Sequence, residues 1–195
     1  IRYASRIQAV MLPQQDFLDE VFTENMVLWR PQEIVSGDFY WVKKIKNFVI
    51  FAAADCTGHG VPGAFMSMLG ISYLNEIVSK SRFDKTNEIL NLMRRRIKKA
   101  LNQTGKVNEA ADGMDIALCI LDTENNILQY SGAYNPLFLI RDGNLQIIKA
   151  DKQPIAIYPR EKDFTYNEVE VLKGDVIYIF SDGFMDQFGG EKNEK

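Results

Sequence analysis

Residues 48–54 read Phe-Val-Ile-Phe-Ala-Ala-Ala, the longest uncharged apolar run in the chain, and they stop on Asp55. The run is far short of the ~20 apolar residues of a membrane span, and its length suits a strand. A strand without polar alternation is covered on both faces, so it is expected at the centre of a sheet. Residues 34–45 precede it across Lys46-Asn47 and read as its hairpin partner. After Asp55 comes Cys56-Thr57-Gly58-His59-Gly60-Val61-Pro62-Gly63-Ala64, a glycine-rich turn that opens onto a helical pattern. A central strand followed at once by a helix commits the fold to layers.

Periodicity sketches the remainder. Residues 64–77 place Phe65, Met68, Leu69, Ile71 and Leu74 at helical spacing, with Pro62 where a first helical residue is expected. Residues 86–101 step through Ile89, Met93, Ile97 and Leu101, and Arg94, Arg95, Lys98 and Lys99 on the other side read as a solvated face. At the start, Ile7, Val10 and Met11 give residues 1–12 a helical reading that Pro13 ends. So short a helix must pack on the domain, a partner or an upstream helix. Residues 19–29 read as a loop, and residues 107–113 as a polar loop. Strands are then expected over 114–121, 127–130, 136–141, 145–149, 168–171 and 176–180, separated by turn residues. The fold class is α+β, layered, with mostly antiparallel pairing.

Composition narrows the function classes. With 195 residues, 46% hydrophobic and 25% charged, the chain has the make-up of one globular domain. A net charge of -3 carries no nucleic-acid footprint, and no membrane contact is expected of this segment. Cys56 and Cys119 lack CxxC spacing and read as buried thiols of a reducing cytoplasm. The chain begins on Ile1 and closes on Gly-Gly followed by charges, so a piece of a longer polypeptide is expected. Residues 1–13 read as a linker helix and 14–195 as the domain.

Three acids stand where strands end in small-residue turns: Asp38 in Ser36-Gly37-Asp38, Asp55 in Ala54-Asp55-Cys56, and Asp182 in Ser181-Asp182-Gly183. Each alone reads as a turn former or helix cap. Three on one pattern point to an oxygen-rich site for a hard cation such as Mg²⁺ or Mn²⁺. A single His and no Cys pair argue against zinc.

Val35-Ser36-Gly37-Asp38-Phe39-Tyr40, then residues 54–64, then Phe180-Ser181-Asp182-Gly183 resemble the successive signatures of SpoIIE/RsbU-type serine/threonine phosphatases. These are the bacterial regulatory branch of the metal-dependent protein phosphatases (PPM, type 2C). Tyr130-Ser131-Gly132-Ala133-Tyr134-Asn135-Pro136 resembles the family's Ser-Gly-x-x-x-Pro strand turn, and Arg6-Ile7-Gln8 with Leu12-Pro13 its helical linker. The resemblance implies two packed antiparallel sheets flanked by helices, an αββα sandwich. It implies two divalent cations, Mn²⁺ or Mg²⁺, and hydrolysis of phosphoserine or phosphothreonine by a hydroxide that bridges them. By position Asp38, Asp55 and Asp182 are the catalytic, metal-binding carboxylates, with Asp55 bridging and the Cys56 carbonyl as a further ligand. Gly37, Gly58, Gly60 and Gly183 shape the loops around them. Asp115 is a candidate for a third ion, and Asp112 reads as a turn acid or strand cap. His59 is either a general acid or a structural residue of its turn.

Departures and alternatives remain beside that reading. Where the eukaryotic branch has an arginine four residues before the first acid, this chain has Ile34, with Arg30 nearby. Family members continue to a further metal-ligating Asp, so the 195 residues alone are expected to be C-terminally incomplete and weakly active. The resemblance also implies an upstream sensor acting through the first helix, a homodimer, and a phosphorylated anti-anti-sigma (STAS-type) substrate. It implies a cytoplasmic place, as a free protein or as the output domain of a receptor. A non-catalytic regulatory module of the same fold is a second reading. A dinucleotide site is a third, since Gly58-His59-Gly60-Val61-Pro62-Gly63 matches G-x-G-x-x-G with Asp84 about 20 residues on. Asp55 facing a pyrophosphate and the hairpin-rich remainder oppose it. A cysteine phosphatase is disfavoured, because Pro62 rather than arginine stands six residues after Cys56.

Overall fold

A computed structural model describes residues 2–31, 33–80, 85–106 and 111–184. Asp84, residues 107–110 of the polar loop and the Gly-Gly segment lie outside the described residues. The chain runs through α1 (Arg2–Met11), α2 (Gln15–Val21), β1 (Phe39–Ile45), β2 (Phe48–Cys56), α3 (Gly60–Lys80) and α4 (Thr86–Ala100). It continues with β3 (Met114–Asp122), β4 (Ile127–Ala133), β5 (Leu137–Arg141), β6 (Asn144–Ile148), β7 (Asn167–Glu170), β8 (Val176–Tyr178) and a 3₁₀ turn (Asp182–Phe184).

The first sheet has the order β1-β2-β3-β4-β7 and the second β6-β5-β8, with antiparallel pairing in every ladder. The apolar run lies in β2, between β1 and β3, as an uninterrupted apolar strand requires. β3 shows how the layers form. Ile116, Leu118 and Ile120 face a core shared with Ile71, Leu74 and Ile77 of α3 and Ile89, Met93 and Ile97 of α4. Alternate residues Ala117, Cys119 and Leu121 pack instead with Leu137 and Leu139 of β5 and Ile177 of β8. Period-two alternation thus makes one strand the shared wall of a helix–sheet core and a sheet–sheet core. No described helix is long and apolar enough to cross a membrane.

Several elements differ from the sequence reading. β1 starts at Phe39 rather than at residue 34, because the preceding residues bend to pack Gly37 against the turn after β2. Part of the expected 19–29 loop is helical: α2 runs over Gln15–Val21 and buries Leu18, too short a helix to show a period. α1 buries Gln8 and leaves Ile7 and Val10 exposed. Arg94 does not belong to a solvated face. It is buried, donates to Gln153 Oε1 (3.1 Å), Asn91 Oδ1 (3.2 Å) and the Lys162 carbonyl (2.6 Å), and stacks on Phe164. The dinucleotide reading also falls, since both neighbours of β2 are antiparallel and no βαβ unit surrounds the glycine turn.

Candidate metal centre

Strand register assembles the acids. β2 and β3 pair so that Asp55 lies directly opposite Asp115. The β1–β2 register, which sets Phe39 against Ala54, carries Asp38 alongside Asp55. Asp182 arrives from the second sheet, at the head of the 3₁₀ turn after β8. Ser181 Oγ donates to Asp38 Oδ2 at 2.8 Å, tying that turn to the first sheet. The Asp55 carboxyl stands close enough to Asp38 and Asp182 for both to raise its proton affinity. Beside them is a cavity of about 180 Å³ lined by Asp55, Cys56, Thr57, Met114, Asp115 and Pro154.

A carboxyl can hydrogen-bond another only if one of them keeps a proton. Burial, then the charge of Asp38 and the hydrogen bonds of its neighbours, push Asp55 up to about 8. Burial and the charge of Asp182 push Asp115 up to about 6. Among the described residues no three His, Cys, Asp or Glu side chains are already spread in a cage for a metal ion. The raised proton affinity of Asp55 and Asp115 comes from burial and neighbouring acids, and a divalent cation would bind them with loss of those protons. Like charges set directly opposite on adjacent strands destabilise a sheet unless something neutralises them. Clustered carboxyls and a nearby main-chain carbonyl are the donor set of a hard cation, so the residues fit Mg²⁺ or Mn²⁺.

The Cys56 thiol is buried and pushed well up, first by that burial and then by the surrounding acids, so it is no nucleophile. Its carbonyl lies 3.1 Å from where a Cβ on Gly37 would stand. Gly37 and Gly63 make the loops meet, since a Cβ on Gly63 would strike the Gly58 carbonyl and one on Gly37 would stand 2.8 Å from it. Gly58 and Gly60 have φ of 85° and 61°, the left-handed region glycine takes at no steric cost. Gly183 differs, because a Cβ there would meet only ordinary contacts, the nearer being Ser181 Oγ at 3.7 Å. His59 stands outside the acid cluster, exposed, with Nδ1 2.7 Å from Glu33 Oε1. Asp112 is exposed and accepts from Thr57 Oγ1. Ile34 and Arg30 are exposed as well.

Sequence reasoning missed the supports behind Asp38. Gln8 of α1 is 1% exposed; its Nε2 donates to the Ser36 carbonyl (2.6 Å) and Ser67 Oγ (2.8 Å), and its Oε1 accepts from Ser36 N–H (3.0 Å). Ser36 Oγ in turn accepts from Asp38 N–H at 3.0 Å, and Trp29 Nε1 donates to the Asp38 carbonyl at 3.4 Å. The signal was a polar residue at a helical position flanked by apolar ones, which pattern reading assigns to solvent.

The profile of the family described as Stage II sporulation protein E (SpoIIE) matches residues 46–195. Among solved structures, the chain is similar to the SiaA-PP2C domain of Pseudomonas aeruginosa, with 28% identity and a TM-score of 0.87 over 99% of this chain and 74% of that one. It is similar to the PP2C phosphatase domain, with a fragment of the regulatory domain, of the cell fate determinant SpoIIE from Bacillus subtilis. There the identity is 21% and the TM-score 0.65, over 78% of this chain and 43% of that one. RsbX, solved in complex with magnesium, is similar at 15% identity and a TM-score of 0.58, over 76% of this chain and 67% of that one. The last two likenesses speak for the fold alone. No curated protein matches this chain in sequence at the same stringency.

Proposed function

This chain belongs to the SpoIIE family of PP2C-type phosphatase domains, and from that membership we propose that it hydrolyses phosphoserine or phosphothreonine on a regulatory protein with two divalent cations, Mn²⁺ or Mg²⁺. The observation that carries the reading is the convergence of Asp38, Asp55, Asp115 and Asp182 at the ends of strands from both sheets, beside a cavity that Asp55 and Asp115 line. Asp38, Asp55, Asp182 and the Cys56 carbonyl would hold the ions, with Asp115 available across the ladder. Magnesium in the fold relative RsbX supports that class of ion. Such ions, when bound, activate water at neutral pH and neutralise charge on the transferring phosphoryl group.

The chain's own residues shape the rest. Gln8, Ser36 and Trp29 hold the main chain at Asp38, while Ser181 fixes its carboxyl. Thr57 N–H donates to the Gly113 carbonyl and Gly113 N–H to Thr57 Oγ1, both at 3.0 Å, which closes the cavity floor between β2 and β3. With isoleucine exposed at position 34, phosphate binding falls to the ions. The chain then acts in the cytoplasm, on a phosphoprotein. The test is phosphate release from a phosphothreonine peptide with Mn²⁺, with EDTA, and in Asp55→Asn. Release is expected only in the first; release that persists in EDTA or in the variant overturns the reading.

A further inference from the structure

Tyr134 has a φ of 56°, a conformation strained for a bulky residue with a Cβ. It is the centre of a three-residue turn in which Asn135 N–H donates to the Ala133 carbonyl at 2.7 Å, a rare turn form at positive φ. Its surroundings over-determine that shape. Tyr134 N–H donates to the Asp151 carbonyl (2.9 Å), Asp151 N–H donates to the Gly132 carbonyl (3.0 Å), and the buried Tyr130 hydroxyl donates to the Asn135 carbonyl (2.6 Å).

The strain fixes where the Tyr134 ring stands. The side chain is exposed, and the β3–β4 register that sets Ala133 opposite Ile116 carries Tyr134 alongside Asp115. Tyr158 closes a segment that leaves Asp151, lines the cavity at Pro154 beside Asp55 and Asp115, and is tied to β3 where Ile155 N–H donates to the Met114 carbonyl (2.8 Å). Tyr134 is therefore tied through its main chain to the segment that lines the cavity. A residue needed only for the turn would be glycine, and one needed only for packing would be buried. Strain kept by an exposed aromatic at the rim of a reactive cavity marks a ligand contact.

We propose that Tyr134, held by its strained turn, is a specificity-determining residue that receives the polypeptide flanking the phosphorylated side chain, so that phosphoprotein is preferred over small phosphate esters. The proposal rests on the phosphatase reading above. An exposed tyrosine suits that task, because a rigid ring supplies contact area at little entropic cost and a phenol group can bond a peptide main chain.

The experiment compares a fluorescein-labelled phosphothreonine decapeptide with p-nitrophenyl phosphate, both with Mn²⁺, in the unmodified chain, Tyr134→Gly and Tyr134→Phe. Glycine takes the positive φ without strain, so the fold persists and thermal unfolding checks it. In Tyr134→Gly the ratio of kcat/KM for peptide to that for p-nitrophenyl phosphate is expected to fall about tenfold, through KM. The peptide Kd from fluorescence anisotropy rises by the same factor, and Tyr134→Phe restores most of the preference. A fall shared equally by both substrates, or an unchanged peptide Kd, overturns the proposal. A full-length protein that hydrolyses neither substrate overturns the phosphatase reading and takes the proposal with it, a result distinct from the other two.

Discussion

At one end of β3, Asp38, Asp55, Asp115 and Asp182 crowd together, and burial and mutual repulsion raise the proton affinity of Asp55 and Asp115. Against the same sheet, α4 buries Arg94, whose guanidinium meets Asn91, Gln153 and the Lys162 carbonyl, with Glu161 3.5 Å from its Nε. Both clusters take charge out of water, at a cost that partners must offset. Arg94 finds its partners within the chain and becomes part of the fold. The acids find no cation among the contacts described, only one another and the Ser181 hydroxyl, and Asp55 and Asp115 are pushed toward their protonated forms, so their electrostatic balance is left to a ligand. Charge matched from within marks structure, and charge left unmatched marks a site.

The largest effect separates the two clusters. Asp55→Asn is expected to cut Mn²⁺-dependent phosphate release by about a thousandfold or more. The metal-free protein should unfold at the same temperature or higher, since one of several mutually repelling carboxyls is gone. A marked fall in the metal-free melting temperature would mean that the acids hold the fold together after all. Arg94→Met should behave in the opposite way. Asn91, Gln153 and the Lys162 carbonyl lose their donor in a buried place, which costs about 3 kcal/mol of stability by chemical denaturation. Activity per folded molecule should hold. Lost activity at unchanged stability would join Arg94 to the site.

The two clusters were not equally legible. β2 announces itself as a central strand through its apolar run, and strand-end acids followed by glycine drew attention to Asp38, Asp55 and Asp182. Their convergence depends on register, which a one-residue slip would undo and which no local pattern states. Arg94 was read as solvated because its charge sits beside Arg95 and Lys98 on a helix whose apolar stripe is Ile89, Met93 and Ile97. Its partners lie 59 and 68 residues later, at Gln153 and Lys162, so only tertiary structure shows them. Gln8 was hidden for the same reason. The strand turn through Tyr134 was legible by resemblance but its backbone was not, since tyrosine is no signal for positive φ.

Gly63→Ala tests whether the acid cluster is held by close loop packing. A Cβ at residue 63 strikes the Gly58 carbonyl and stands 3.0 Å from Gly37 Cα, with main chain on both sides and no flexible side chain to yield. A loss of about 2 kcal/mol is expected, as for overpacking elsewhere. Because Gly37 adjoins Asp38, the Mn²⁺ concentration for half-maximal activity should rise as well. A destabilised variant with unchanged metal dependence would show that the loops can shift without moving the acids.

The mildest test concerns a charge matched in the manner of Arg94 but nearer to water. Arg141 of β5 makes two parallel hydrogen bonds to Asp175, Nε to Oδ1 at 2.9 Å and Nη2 to Oδ2 at 2.6 Å, and Leu172 N–H donates to the same carboxyl at 2.8 Å. The guanidinium bonds, chiefly, hold Asp175 below the usual carboxylate range. A depressed folded value means that the pair's contribution is fully present above the unfolded Asp value of about 3.9 and is lost as pH falls through the folded value. Asp175→Asn should therefore lower the melting temperature slightly at pH 7, and the difference from the unmodified chain should shrink as pH drops below about 4. The effect stays small because solvent reaches and screens the partly exposed guanidinium, and added salt should reduce it further. A difference that persists undiminished in acid would assign the role of Asp175 to its neutral hydrogen bonds, and would restrict the matched-charge argument to the buried Arg94.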